Sequence, residues 1–234
     1  MEINKKPKIF IHSWIPEGLK SKLEKHFSID QHDASEVVLS GDNLLKRLQN
    51  VDGIIAQAPI IDKNILHSCP NLKIVSNVAV GVDNIDIETC TEMGIQVTNT
   101  PRVLNDAVAD MSMALLLAVA RRVPEGDRMV RAGEFKGNPY PLLWGADLRD
   151  ENLGIIGMGS IGQDVAKRAL PFGLNIKYYN RNRLSKEIEL NLNADLLSLK
   201  ELFQTCRYIV ILCPLTTETK HLIKSNELNL MRKD

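Results

Sequence analysis

The chain has 234 residues, 44% hydrophobic and 25% charged, the balance of a globular protein with apolar material for one large core or two smaller ones. Lysine plus arginine and aspartate plus glutamate both number 29, so the net charge is zero and no global field recruits nucleic acid or an anionic membrane. Cys69, Cys90, Cys206 and Cys213 are widely scattered, which argues against a zinc site or a disulfide framework and fits a reducing, cytoplasmic setting.

Residues 1–8 are polar and lack the apolar centre of a secretion signal. Residues 8–12 read as a short strand, and Pro16 then opens a helical segment, 17–27, with Leu19, Leu23 and Phe27 on one face. The unit recurs. Apolar stretches at 52–56, 73–77 and 95–99 alternate with helical stretches at 42–49, 62–69 and 86–93. Short apolar strands separated by helices of about three turns predict a parallel sheet covered on both faces, an α/β layer fold. A first domain is expected over residues 1–100.

Pro101 breaks the pattern. The segment 103–123 reads as a helix that is apolar nearly all round, so it is expected to be buried between domains or against another subunit. Its most apolar run, 111–120, is about half of the ~20 residues needed to span a bilayer, which makes it a buried helix and not a membrane segment. A helical piece at 125–133 follows, then an apolar, proline-containing loop, 137–145, with Tyr140 and Trp144. Such a loop folds over its own domain or meets a partner, and the partner is favoured.

The stretch from Leu153 to Gly162 turns an apolar strand directly into a glycine pattern and a helix at 160–172. Gly157, Gly159 and Gly162 give G-x-G-x-x-G in the setting this pattern requires, a strand before it and an amphipathic helix after it. The first glycine takes the tight turn, the second lets a pyrophosphate approach the backbone, and the third lets helix pack on strand. Ser160 and Ile161, in the first turn, add free amides at the positive end of the helix. A dinucleotide is the expected ligand.

Further on, Gly173 stops the helix, 175–179 is the next strand, and Ser198 to Glu201 is a capping box. Residues 207–213 form a buried strand closed by Pro214, and 225–231 a last helix. A doubly wound domain has six strands in two halves, and about three are legible here. The second domain, 101–234, is therefore expected to be a Rossmann fold incomplete at its C-terminal side, with an open sheet edge and poor solubility.

The acidic residue that holds the adenosine ribose belongs about twenty positions after the glycines. Asn180 stands there, followed by Arg181, Asn182 and Arg183. The carboxylate that would repel a 2′-phosphate is absent and two guanidinium forks are supplied, so NADP is expected over NAD, although NAD stays possible. A solvated basic turn without a ligand is the alternative. In the first domain, residues 78–83 (V-A-V-G-V-D) follow a strand; successive amides there can form an anion nest for a carboxylate, and a plain strand-to-helix connection suits the composition equally well.

With both stretches in view, the chain resembles the D-isomer-specific 2-hydroxyacid dehydrogenases, and among them the glyoxylate and hydroxypyruvate reductases. The matching segments run in family order: 77–86 (N-V-A-V-G-V-D-N-I-D), 98–109 (T-N-T-P-R-V-L-N-D-A-V-A), 153–162, 178–183 (Y-Y-N-R-N-R) and 212–222 (L-C-P-L-T-T-E-T-K-H-L). The resemblance implies a flavodoxin-like substrate domain and a Rossmann cofactor domain. It implies that Val80 and Gly81 offer amides to the carboxylate of a 2-oxo acid, that Val108 lies along the cofactor, and that Cys213 and Pro214 line its pocket beside Thr219. It also implies a homodimer formed through residues 103–145.

In that family an arginine orients the 2-oxo acid, and a histidine supported by a glutamate protonates it. All three follow the last matching segment, so the 234 residues are expected to carry recognition elements without catalytic ones. His221 lies inside the T-E-T-K-H-L motif and reads as a surface histidine. A non-catalytic dinucleotide sensor or partner-binding protein, like the family's corepressors, is the competing reading.

Overall fold

A computed structural model describes residues 6–33, 39–57, 59–137 and 142–234. Tyr140 and its neighbours in the apolar loop lie outside the described residues. The chain divides into two compact units, Met1–Arg102 and Val103–Asp234.

The first unit runs β1 (Lys8–Ile11), α1 (Glu17–Leu23), β2 (Ser28–Gln31), α2 (Gly41–Leu48), β3 (Gly53–Ala56), α3 (Lys63–His67), β4 (Ile74–Asn77), α4 (Ile87–Glu92) and β5 (Gln96–Thr98). Its five strands are all parallel in the order β2-β1-β3-β4-β5, the flavodoxin-like arrangement. Phe10, Leu44, Leu48, Ile54, Leu66 and Val75 fill the core. Two helices start on aspartates whose carboxylates accept amide bonds: Asp62 from Ile65 in α3 and Asp86 from Thr89 in α4. At the entrance to β3, Asp52 accepts from the Lys73 ammonium at 2.8 Å and the Lys8 amide at 2.9 Å. It thereby joins the starts of three adjacent strands, and the Lys73 bond, then the Lys8 bond, hold its carboxyl below the usual aspartate range.

The second unit runs α5 (Asn105–Ala120), α6 (Val123–Arg131), β6 (Asn152–Ile156), α7 (Ser160–Ala169), a 3-10 turn (Leu170–Phe172), β7 (Asn175–Tyr179), α8 (Lys186–Leu192), β8 (Ala194–Leu196), α9 (Leu199–Thr205), β9 (Tyr208–Ile211) and α10 (Ser225–Leu230). Its sheet has the order β8-β7-β6-β9, all parallel, which is the 3-2-1-4 part of the Rossmann order. Strand β6 alternates across the sheet. Leu153 and Ile155 join the core formed with Ala109 and Met113 of α5 and Val165 and Ala169 of α7, while Ile156 packs with Leu202 and Phe203 of α9.

Several boundaries differ from the sequence reading, for local reasons. The helix expected over 17–27 stops at Leu23, where the chain turns to enter β2. The helix expected over 103–123 is α5, which ends at Ala120, and the piece expected over 125–133 is α6, which starts at Val123; Arg122 between them has a φ of +53°, which cannot continue an α-helix. Nor is α5 buried all round within its own unit. Ala109, Met113, Leu116 and Ala120 face the core, whereas Met111, Leu115 and Val119 are exposed by 59%, 60% and 75%. No described helix is long and apolar enough to cross a membrane.

Candidate functional site

The glycine loop lies at the C-terminal end of β6, beside the ends of β7 and β9. Gly157 has φ +99°, and a Cβ there would meet the Cys213 nitrogen at 2.5 Å and the Leu212 carbonyl carbon at 2.7 Å. Only glycine fits a left-handed turn pressed so closely on another backbone. A Cβ at Gly162 would meet the Gly157 oxygen at 2.5 Å, so the third glycine lets α7 close onto the loop. At Gly159 a Cβ would meet nothing within 4 Å. The space above that backbone is open.

Hydrogen bonds leave a set of donors over. The Gly157 amide donates to the Tyr179 carbonyl at 3.0 Å and the Met158 amide to Asn180 Oδ1 at 2.7 Å. The amides of Gly159, Ser160, Ile161 and Gly162 donate to no protein acceptor among the described residues, and no side chain caps α7. Four free N–H groups at a helix N-terminus, beneath a glycine that leaves open space, are the right chemistry for the pyrophosphate of a dinucleotide.

The neighbouring turn begins at Asn180. Its side chain also donates to the Met158 carbonyl, at 3.4 Å, so Asn180 clasps the glycine loop from both sides. Arg181 and Asn182 are exposed. Arg183 places Nε and Nη2 on the two carboxylate oxygens of Glu189, both at 2.9 Å. Glu189 is 8% exposed and also accepts the Tyr178 hydroxyl at 2.6 Å, and that hydroxyl in turn accepts the Leu184 amide at 3.1 Å. The Arg183 fork, then the Tyr178 hydroxyl, hold the Glu189 carboxyl below its usual range. Sequence reasoning missed Glu189: a polar residue on a short helix carries no periodic signal.

After β9, Cys213 is half-buried with its amide against Gly157, and Pro214 is exposed. Thr219 knits this loop, donating from its hydroxyl to the Pro214 carbonyl at 2.5 Å and accepting the Thr216 amide at 2.7 Å. Val108 is half-buried on α5, its carbonyl accepting the Ser112 hydroxyl at 2.7 Å. His221 is exposed with φ +58°.

In the first unit, the loop after β4 has its carbonyls tied down. Thr100 N–H donates to Ala79, Asn99 Nδ2 to Val80 at 2.8 Å and Asn77 Nδ2 to Gly81 at 2.9 Å. Asn77 is 1% exposed and lies against Asn84, whose amide reaches the Pro59 carbonyl at 2.8 Å. With those oxygens engaged, the Val80 and Gly81 amides have no protein acceptor among the described residues. A backbone arranged this way can receive a small anion.

Parallel-sheet topology, the glycine cradle and its free amides define a dinucleotide-binding protein of the doubly wound class. Residues 113–234 match the family model for the NAD binding domain of D-isomer specific 2-hydroxyacid dehydrogenases. A glyoxylate reductase from Pyrococcus horikoshii is 46% identical over 97% of this chain and 69% of its own length. Among solved structures, the TT0316 protein of Thermus thermophilus is 37% identical with a TM-score of 0.86, over 96% of this chain and 70% of that one. A D-lactate dehydrogenase from Aquifex aeolicus, complexed with NAD and lactic acid, is 25% identical with a TM-score of 0.81, over 96% of this chain and 66% of that one. The chain belongs to the D-isomer specific 2-hydroxyacid dehydrogenase family, a family of oxidoreductases that use a nicotinamide dinucleotide.

Proposed function

We propose that the protein reduces a small 2-oxo acid, glyoxylate or hydroxypyruvate, to the D-2-hydroxy acid, taking NADPH in preference to NADH. The carrying observation is the glycine loop with four free amides, next to a strand that is followed by Asn180 and Arg181 instead of a carboxylate. The name of the Pyrococcus relative, a glyoxylate reductase, supports the substrate class. Residues 1–100 act as the substrate domain and 101–234 as the cofactor domain, in a cytoplasmic homodimer formed through 103–145.

The bound nicotinamide supplies the hydride. The chain's own residues bind and orient. Amides of Gly159, Ser160, Ile161 and Gly162 take the pyrophosphate, with Gly157 making the turn that presents them. The turn of Asn180, Arg181, Asn182 and Arg183 serves the adenosine end, while Val108, Cys213, Pro214 and Thr219 border the cofactor. Val80 and Gly81 receive the substrate carboxylate on their amides, which the Asn77 and Asn99 bonds hold in place.

The test has two parts: calorimetric titration of this chain with NADP+ and NAD+, and loss of NADPH absorbance on adding glyoxylate. Tighter binding of NADP+ is expected. For these 234 residues the expected result is binding without turnover. Failure to bind either nucleotide would sink the reading.

A further inference from the structure

Two arginines in the turn after β7 look equivalent in sequence, but the structure treats them differently. Arg181 is exposed and makes no ion pair among the described residues; it lies within electrostatic range of Glu218, whose carboxylate is taken up by the Thr216 hydroxyl at 2.6 Å. Arg183 has two of its donor nitrogens committed to Glu189 in a parallel, bidentate pair. Glu189 is itself 8% exposed while the Arg183 side chain is 64% exposed, so the pair has a covered carboxylate and a guanidinium open to solvent, and it is the bidentate geometry that holds Arg183 in place.

We propose that Glu189 is a specificity-determining positioning residue of the nucleotide site: by occupying the Arg183 fork it leaves Arg181 alone to read a 2′-phosphate. Resting on the NADPH reading above, the inference divides the work between the two arginines and adds a residue outside the turn. The carboxylate offsets the Arg183 charge locally and occupies its fork, so Arg181 is the guanidinium of the turn with no hydrogen-bonded carboxylate among the described residues. The turn that carries Arg181 is held by the Tyr178 hydroxyl, which accepts the Leu184 amide at 3.1 Å, and that bond does not depend on the Arg183–Glu189 pair. Glu189 thus acts on the cofactor through Arg183, by competing with its phosphate.

The experiment measures dissociation constants of NADP+ and NAD+ for the full 234-residue chain and three variants. Arg181→Ala is expected to weaken NADP+ at least tenfold and leave NAD+ within twofold. Arg183→Ala is expected to change NADP+ by less than threefold. Glu189→Gln keeps an acceptor for the Tyr178 hydroxyl but gives up the bidentate pair, so it frees Arg183 and is expected to tighten NADP+ three- to tenfold with NAD+ unchanged. Arg183→Ala weakening NADP+ as much as Arg181→Ala would overturn the division of labour, as would equal weakening of both nucleotides by Glu189→Gln. If Glu189→Gln does not fold, the two arginine variants decide alone. A wild-type chain that binds the two nucleotides equally, or neither, overturns the NADPH reading itself and this inference with it, an outcome distinct from a preference that survives while the variants behave otherwise.

Discussion

The backbone nitrogen of Cys213 stands 2.5 Å from where a Cβ on Gly157 would be, while a Cβ on Gly159, two residues further on, would meet nothing within 4 Å. The two glycines are therefore separable by experiment. Gly157→Ala strains a backbone at φ +99° and drives β9 from β6, at a cost on the order of 3 kcal/mol, so it is expected to lower the melting temperature and abolish nucleotide binding together. Gly159→Ala is expected to melt like wild type and yet bind nucleotide at least about tenfold more weakly, because its methyl enters only the space a pyrophosphate needs. Thermal melts with and without NADP+ check both. A Gly159→Ala protein that binds normally would mean that no phosphate approaches this backbone.

Asp52 makes the first unit acid-sensitive. Lys73 and the Lys8 amide hold its folded pKa below the unfolded value of about 3.9, so its contribution is fully present above that value and is lost as pH falls through the lower, folded pKa. Asp52→Asn is expected to destabilise the protein at neutral pH and to flatten the decline in stability below about pH 4. Urea denaturation across that range reads the difference. Parallel curves for the two proteins would count against a role for Asp52.

The fold was legible where burial leaves a rhythm. Strands β1, β3, β4, β5, β6, β7 and β9 fall on the expected apolar stretches, although β9, expected to be buried, lies at the sheet edge with Ile211 50% exposed, and the Ser198 to Glu201 capping box is present as expected. The edge strands β2 and β8 were missed. Ser28–Gln31 has no fully buried residue and Ala194–Leu196 has only three positions, so neither carries the hydrophobic signature of a covered strand. At the site, the glycine spacing could be read because backbone geometry restricts those positions to one residue type. The bonds of Asn180 to Met158 and of Arg183 to Glu189 join side chains across the fold, and no spacing rule encodes such pairings.

Cysteine accessibility offers a probe of the same loop. Burial raises the thiol pKa of Cys69, Cys90 and Cys206, whereas Cys213 is half-buried beside the glycine turn. Alkylation of the native chain, followed by peptide mass spectrometry, is expected to modify Cys213 before the other three. Saturating NADP+ is expected to slow that modification several-fold if the cofactor passes along this loop. Labelling of Cys206 ahead of Cys213 would contradict the packing around α9.

Helix α5 carries the remaining prediction. Met111, Leu115 and Val119 recur every four residues on the face opposite its buried residues, making an exposed apolar stripe on a helix whose other side is already packed on α7. Full burial of each such side chain contributes about 1.5–3 kcal/mol, so three from each of two copies contribute at most about 9–18 kcal/mol against an association cost of about 4–15 kcal/mol. A twofold pairing places the same stripe on both sides of the interface, which makes its centre, Leu115, the sensitive position. Leu115→Lys sets two ammonium groups opposite each other in that apolar seam, and sedimentation velocity is expected to show a dimer for the wild-type chain and a monomer for the variant, with unchanged circular dichroism. A wild-type monomer at high concentration would leave the stripe without the partner its exposure calls for.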